Sequence, residues 1–329
     1  MRIALDSMGS DGAPATEVAG ALHALKHGNG DVTVVLVGDR ARIAAELARQ
    51  GASEGGRLEI VHAPEKVSPN ESPAAVVRRK PGSSLVTGIG LHRRGQVDAF
   101  VSAGPTGAVM AASVFLLKRL PGVDRPAVGT LMPTTSRAHM LMLDAGANVD
   151  CRPQHLLQFA FLGHVYAQDL MGRQEPRIGL LNIGSEPEKG DERTVEAHRL
   201  LSRSDLNFIG NVEGRDIIHG RCDVLVTDGF AGNVLLKFYE SVAGFVIRVM
   251  DREQERIRIP LDRSTIEILD YAEYGGAPLL GVNGVSVICH GRSPPKAISK
   301  AIGVAAKAVG TSMIGHVARY LAETAARIP

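Results

Sequence analysis

Small polar turns built from Gly with Asp, Asn, Ser or His recur along this chain, each closing an apolar run. Asp6-Ser7-Met8-Gly9-Ser10-Asp11 is the first, and Ser102-Ala103-Gly104-Pro105-Thr106, Asp144-Ala145-Gly146-Ala147-Asn148 and Asn182-Ile183-Gly184 follow. Gly38-Asp39, Asp228-Gly229-Phe230-Ala231-Gly232-Asn233 and His290-Gly291-Arg292-Ser293 complete the seven. Backbone N–H groups left open by such turns bind anions, above all where a helix begins. Gly9, with Asp6 and Asp11 at its rim, suits an anion cradle, though an ordinary strand-to-helix turn with an Asp cap uses the same residues. Thr106 caps a helix or donates to a ligand oxygen. Lys189, beside Gly190 and just before a helical pattern, can reach a phosphate. Gly232-Asn233 opens a long helical pattern with Lys237 one turn on, a combination suited to a tetrahedral anion. His290 is a candidate acid near neutral pH, or a satisfied core histidine.

Other chemistries find less support. Asp144, Asn148 and Asp150 offer oxygen ligands, but they cannot close a metal shell alone. Cys151, Cys222 and Cys289 form no CxxC pair and sit in no basic or helix-start motif, so neither a zinc site nor thiolate catalysis is expected. The chain has no GxGxxG fingerprint, GxxxxGK[ST] loop or GxSxG elbow.

The apolar runs that position these turns are short and rich in Val, Ile and Leu, as in strands buried on both faces. Strands are expected at Ile3–Asp6, Val32–Val37, Leu58–His62, Ala99–Ser102, Val128–Met132, Met140–Asp144, Ile178–Asn182, Asn207–Ile209, Val224–Asp228 and Val285–His290. Helical patterns alternate with them, the last over Lys296–Ala325. The alternation predicts an α/β fold with a mostly parallel, helix-covered sheet, whose carboxyl edge gathers the turns. No linker or repeat divides the chain, so a single domain over residues 1–329 is expected. One helical excursion, at about 234–274, interrupts the rhythm. It carries Arg248, Arg252 and Arg256 on one face, with Asp251, Glu253 and Glu255 interleaved. That face is either solvated or a dock for an acidic partner or an anionic membrane surface.

Of 329 residues, 44% are hydrophobic and 4% aromatic, with no Trp and a net charge of +2. This composition supports a large core and excludes a nucleic-acid-binding coat or stacking platform. No apolar run approaches the ~20 residues of a membrane span, and the chain opens directly into a strand. A cytoplasmic protein is expected.

In order and spacing the turns resemble the PlsX family of phosphate acyltransferases, nearly end to end. The resemblance is carried by Ile3-Ala4-Leu5-Asp6-Ser7-Met8-Gly9, Phe100-Val101-Ser102-Ala103-Gly104, Asp144 to Cys151, His155 to Ala160 and Gly179 to Gly184. Phe208-Ile209-Gly210-Asn211-Val212-Glu213-Gly214-Arg215-Asp216, Asp228 to Val234, Tyr274 to Ala277 and Leu280 to Gly284 extend it. It implies a Rossmann-like, three-layer α/β/α fold and a homodimer. It also implies transfer of a fatty acyl group from acyl carrier protein to inorganic phosphate, for phospholipid synthesis. No cofactor, metal or nucleic acid is implied.

On that reading Lys189, Asn233, Lys237 and His290 are the candidate catalytic residues. The substrate-binding candidates are Asp6, Gly9, Ser10, Asp11, Ser102, Gly104, Thr106, Asp144, Asn148, Asn182, Gly184, Asn211, Glu213, Asp228 and Gly232. Arg248, Arg252 and Arg256 are the candidate carrier dock. The chain departs from the family pattern at Ser10, at Pro105, which lacks an N–H, and at Arg292 and Pro294. Family members are thought to touch the membrane through the helical excursion. Here its apolar content reads as modest, with no wide apolar stripe. A coenzyme A-dependent phosphotransacetylase, a metal- and nicotinamide-dependent dehydrogenase and a non-catalytic carrier-binding scaffold are the rival readings.

Overall fold

The computed structural model describes residues 1–28, 31–135, 139–257 and 275–325. In chain order the strands are β1 (Arg2–Asp6), β2 (Thr33–Gly38), β3 (Leu58–His62), β4 (Ala99–Ser102), β5 (Ala127–Pro133), β6 (His139–Leu143), β7 (Ile178–Leu181), β8 (Phe208–Val212), β9 (Val224–Val226), β10 (Ala277–Leu280) and β11 (Val285–Ile288). The helices are α1 (Ala15–His27), α2 (Arg40–Arg49), α3 (Pro73–Arg79), α4 (Ser84–Arg93), α5 (Thr106–Leu117), α6 (Pro153–Met171), α7 (Glu192–Ser202) and α8 (Gly229–Ile257), followed by Pro295–Gly310 and Met313–Ala325.

The chain divides into two compact units: Met1–Pro126 with Asp169–Met171 and Gly275–Pro329, and Ala127–Gln168 with Gly172–Tyr274. In the first, the strand order is β3-β2-β1-β4-β11-β10. All neighbours are parallel except β10, which runs against β11. The 3-2-1-4 portion is the order of one half of a doubly wound sheet. β4 and β11 are buried along their whole length and β1 and β2 at all but their first residue, with Ile3, Leu5, Leu36 and Phe100 fully covered. Helix α1 packs on the helix Pro295–Gly310, while α5 packs on both α3 and α4. In the second unit the order is β5-β6-β9-β7-β8, parallel from β6 onward, with β5 antiparallel to β6. The expected α/β class, with mostly parallel, helix-flanked strands, is what forms.

Caps set several helix starts. Asp39, Ser83 and Asp191 accept the N–H groups of Arg42, Val86 and Thr194 at 3.1, 3.3 and 2.8 Å. Asp228 does the same for α8, accepting from Ala231 N at 2.8 Å. That cap starts α8 at Gly229, a turn earlier than the pattern from Val234 suggested. Strand β10 was not expected from the sequence, because Pro278 interrupts a four-residue run. The expected helix Lys296–Ala325 is two helices, bent by 53° at Thr311-Ser312, where Ser312 takes φ 57°.

The structure of α8 also corrects the reading of its surface. Phe230, Val234, Phe238, Val242, Phe245 and Val249 recur every three or four residues and are all exposed, Phe238 to 68%. This is a continuous apolar stripe. Five of these six already lie in the helix expected from Val234, so the expectation of no wide stripe was a misreading of the spacing; the earlier start adds Phe230 at its head. Gly229–Met250, 22 residues, is long and apolar enough to cross a membrane by length and composition, contrary to the expectation of no such run. Residues 258–274, the rest of the expected excursion, lie outside the described residues.

Candidate active site

In the first unit, three turns meet at the carboxyl ends of β1, β4 and β11. Asp6 ends β1 fully buried; its Oδ1 accepts from Met8 N at 3.2 Å and its Oδ2 from Ser102 Oγ at 2.7 Å. Ser102 Oγ in turn accepts from Gly104 N at 3.0 Å. The relay Gly104 N–H to Ser102 O–H to Asp6 ties the β4 turn to the β1 turn. Gly9 is required there: a Cβ on it would lie 2.6 Å from Gly104 N. Asp11 N donates to Gly291 O at 2.9 Å, which brings in the β11 turn. His290 is exposed, and its Nδ1 accepts from Arg292 N at 3.2 Å. In a neutral ring this leaves Nε2 as the outward N–H donor. Arg292 stands 4.0 Å from Asp11, both in solvent. Thr106 is the first residue of α5 and exposed; Pro105 occupies the cap position, and no side chain caps this helix.

Behind the β1 turn lies a residue that the motifs did not single out. Glu17, in the first turn of α1, is completely buried and accepts from Ser10 N at 2.8 Å. Its Oε2 and the buried Ser10 Oγ have no hydrogen-bond partner among the described residues. Burial pushes the Glu17 carboxyl up to about 7, against the Ser10 N–H bond that lowers it, and the neighbouring Asp6 adds to the rise. Burial raises Asp6 as well. The available sequence signal was an acidic residue in the first turn of a helix, which reads equally as a solvated dipole partner.

The second unit centres on Asp144, which directly follows β6 and is fully buried. Its Oδ1 accepts from the N–H groups of Val128, Gly146 and Ala147 at 3.0, 3.2 and 3.0 Å. Its Oδ2 accepts from Asn148 N at 2.7 Å and Asn148 Nδ2 at 3.0 Å. Desolvation still raises its pKa despite these donors. Gly232 packs on the Asp144 carbonyl so closely that a Cβ would lie 2.0 Å from that oxygen. Asn233 is exposed, and its side chain lies 3.4 Å from where a Cβ on Gly146 would be. Asp228 is bound at 2.9 Å by Arg193 of α7, a cation the motif reading passed over. The structure therefore brings Asp144, Asn148, Asp228, Gly232 and Asn233 together.

The loop after β7 holds Asn182, Gly184 and Lys189, and Asn211 of β8 bonds to it. Asn182 Nδ2 donates to Lys189 O at 2.9 Å, and its Oδ1 accepts from Ile183 N at 2.7 Å. Asn211 Nδ2 donates to Glu186 O at 2.7 Å, and its buried Oδ1 has no partner among the described residues. The Lys189 stem lies over Gly184, and its ammonium has no ion pair among the described residues. Glu213 pairs with Arg215 at 2.9 Å, beside this loop. Lys237, one turn on from Asn233 in α8, is exposed and paired with Glu240 at 2.8 Å. Arg248 and Arg252 are exposed on α8, and the Arg256 side chain lies outside the described residues.

Burial pushes the thiols of Cys151, Cys222 and Cys289 up to about 11, 12 and 12. All three are protonated near neutral pH, as the sequence suggested, and none is a ready nucleophile. What the two clusters offer is oriented N–H, amide and cationic donors backed by buried carboxyls, which suits an oxyanion.

Comparison with known proteins agrees with this chemistry. Residues 1–316 match the family described as fatty acid synthesis protein. The chain is 47% identical over 329 residues to a phosphate acyltransferase of Desulforamulus reducens, covering 98% of this chain and 97% of that one. It is also 47% identical to a phosphate acyltransferase of Pelotomaculum thermopropionicum, covering 96% and 94%. Among solved structures, the EutD phosphotransacetylase from Staphylococcus aureus has a similar fold, with a TM-score of 0.64, 15% identity and 94% of each chain covered. A branched-chain phosphotransacylase from Enterococcus faecalis V583 is similar at a TM-score of 0.61 and 12% identity, covering 94% of this chain and 99% of that one. A match of this length, together with near-half identity from end to end, places the chain in the fatty acid synthesis protein family, the PlsX family that its turns resemble.

Proposed function

We propose that this protein is a phosphate acyltransferase: it transfers a fatty acyl group from acyl carrier protein to inorganic phosphate, giving acyl phosphate for phospholipid synthesis. The observation that carries this reading is the 47% identity to phosphate acyltransferases over almost the whole of both chains.

The chemistry needs little acid–base machinery. A phosphate oxygen attacks the thioester carbonyl, the tetrahedral intermediate collapses, and the C–S bond breaks to release the carrier thiolate. That thiol titrates at about 8.5, taking cysteine as its model, so it leaves readily. The protein's work is to hold a dianion against a carbonyl, which is worth roughly 7–11 kcal/mol, and to stabilise the oxyanion, where one lost donor costs about 3–4 kcal/mol.

In this reading Asn233, the turn amides and Lys189 hold phosphate. Lys189 is preferred to Lys237 because Lys237 already has Glu240 as its partner. His290, through Nε2–H, assists the carbonyl or the leaving sulfur. Asp6, Asp144 and Asp228 hold donors rather than phosphate, since a bare carboxylate repels it. Arg248 and Arg252 dock the acidic carrier. The active form is a homodimer in the cytoplasm, and the apolar stripe of α8 makes peripheral contact with the inner face of the membrane.

The test is release of carrier thiol from an acyl-carrier thioester with and without phosphate, run beside the matching coenzyme A thioester. Release that requires phosphate and prefers the carrier supports the reading. Equal turnover of both thioesters transfers the chain to the phosphotransacetylase class. Carrier binding without turnover leaves only a scaffold.

A further inference from the structure

The first unit has an apolar groove of about 430 Å³ between α3 and α5. That volume lies within the range of small-ligand clefts, ~300–1,000 Å³. Pro73 and Val77 form one wall, and Gly107, Met110, Ala111 and Phe115 the other. Arg78, at the carboxyl end of α3, is the one charged residue on the lining.

The position of the groove identifies its occupant. Both helices follow strands at the same carboxyl edge, and they meet at their first turns, where Pro73 Cγ lies 3.0 Å from a Cβ placed on Gly107. Gly107 is the residue after the Ser102–Thr106 turn, so the groove begins at the turn tied to Asp6. From Gly107 to Phe115 the helix rises about 12 Å. Phe115 closes the outer end, 54% exposed, with Lys118 Nζ 5.1 Å above its ring. An apolar groove with one charged residue on its lining, which starts at the uncapped first turn of α5 and runs along that helix to solvent at Phe115, suits an unbranched alkyl chain with a polar head. A lining this small is far below the ~800 Å² per partner that a stable protein interface buries.

We propose that the groove between α3 and α5 holds the acyl chain of the thioester substrate, with the carbonyl end at Gly107 and the methyl end toward Phe115. This rests on the acyl-transfer reading above. It makes the groove the part of the protein that measures chain length. Each methylene held there raises kcat/KM about fourfold, the worth of burying one CH₂.

The experiment measures phosphate-dependent thiol release across acyl-carrier thioesters from butyryl to palmitoyl, for the unaltered protein, Ala111→Trp and Ala74→Trp. Ala74 is exposed on the rim, so its variant tests the groove with little burden on folding. Both variants are expected to lose at least about tenfold in kcat/KM with palmitoyl thioester, while butyryl turnover stays within about twofold. A palmitoyl thioester carrying a terminal photoreactive group is expected to label Val77, Met110 or Phe115. An unchanged chain-length profile overturns the proposal, and a simultaneous loss of dimer mass would make the groove an interface between copies. Equal loss at every chain length, or label elsewhere, also overturns it. If the unaltered protein makes no acyl phosphate from any thioester, the acyl-transfer reading itself fails and takes this inference with it.

Discussion

Buried carboxyls decide much of what this molecule can do, and Glu17 is the most consequential. Its ordinary value of 4.5 rises to about 7 in the fold. The folded protein therefore binds this proton more tightly than the unfolded chain. The stabilising contribution is full below pH 4.5 and is lost as pH climbs through 7. The span corresponds to about 3 kcal/mol. Glu17→Gln keeps an acceptor for Ser10 N without the charge. Its melting temperature is expected to exceed that of the unaltered protein at pH 8, with the gap closing by pH 5. Equal pH profiles would show that Glu17 is not desolvated.

Asp144 is a different case, because five hydrogen bonds converge on it. Asp144→Ala leaves those donors without their acceptor and is expected to cost more than about 3 kcal/mol in urea unfolding. Substituting Lys189 and Lys237 separates a ligand from a surface ion pair. Lys189→Ala is expected to raise the phosphate KM about tenfold, whereas Lys237→Ala leaves it within about twofold. The motifs announced Asp6, Ser102, Asp144 and Asp228 by their place after apolar runs. They could not announce Glu17, whose burial is decided by tertiary packing, or Arg193, whose partner Asp228 comes from a later turn.

At the scale of elements, α8 shows how one cap changes a surface. Asp228 starts the helix at Gly229, and with that start Phe230 joins Val234, Phe238 and their successors on one exposed stripe. The first turn fits only because Gly232 has no side chain to meet the Asp144 carbonyl. Gly232→Ala is expected to cost about 1–3 kcal/mol in stability through that overlap, read as a lowered urea midpoint. Further along the helix, reversing Arg248 and Arg252 to Glu tests the docking face. The KM for acyl carrier thioester is expected to rise about tenfold at low salt, with the difference shrinking as salt is added. A salt-independent KM would return both arginines to a solvated role. The strands were legible because burial on both faces writes a continuous Val, Ile and Leu run. The start of α8, strand β10 and the break at Ser312 were not, since a single capping bond, a Pro in a short strand and one left-handed residue leave no periodic trace.

At the scale of the whole molecule, the alternation of strand and helix was enough to state the fold class. Two parallel cores with antiparallel edge strands are what the chain forms. The family follows from the match over residues 1–316. The groove between α3 and α5 had no sequence signature, because, Arg78 apart, it is lined by apolar residues and Gly107 of two helices that carry no motif. The central claim is that phosphate itself is the acyl acceptor. The most direct measurement supplies phosphate labelled with heavy oxygen, together with acyl carrier thioester, and follows the products by mass. The account predicts acyl phosphate that carries the label, formed in equal amount with free carrier thiol and absent when phosphate is withheld. Carrier thiol released at the same rate without phosphate, or free fatty acid in place of acyl phosphate, would contradict it.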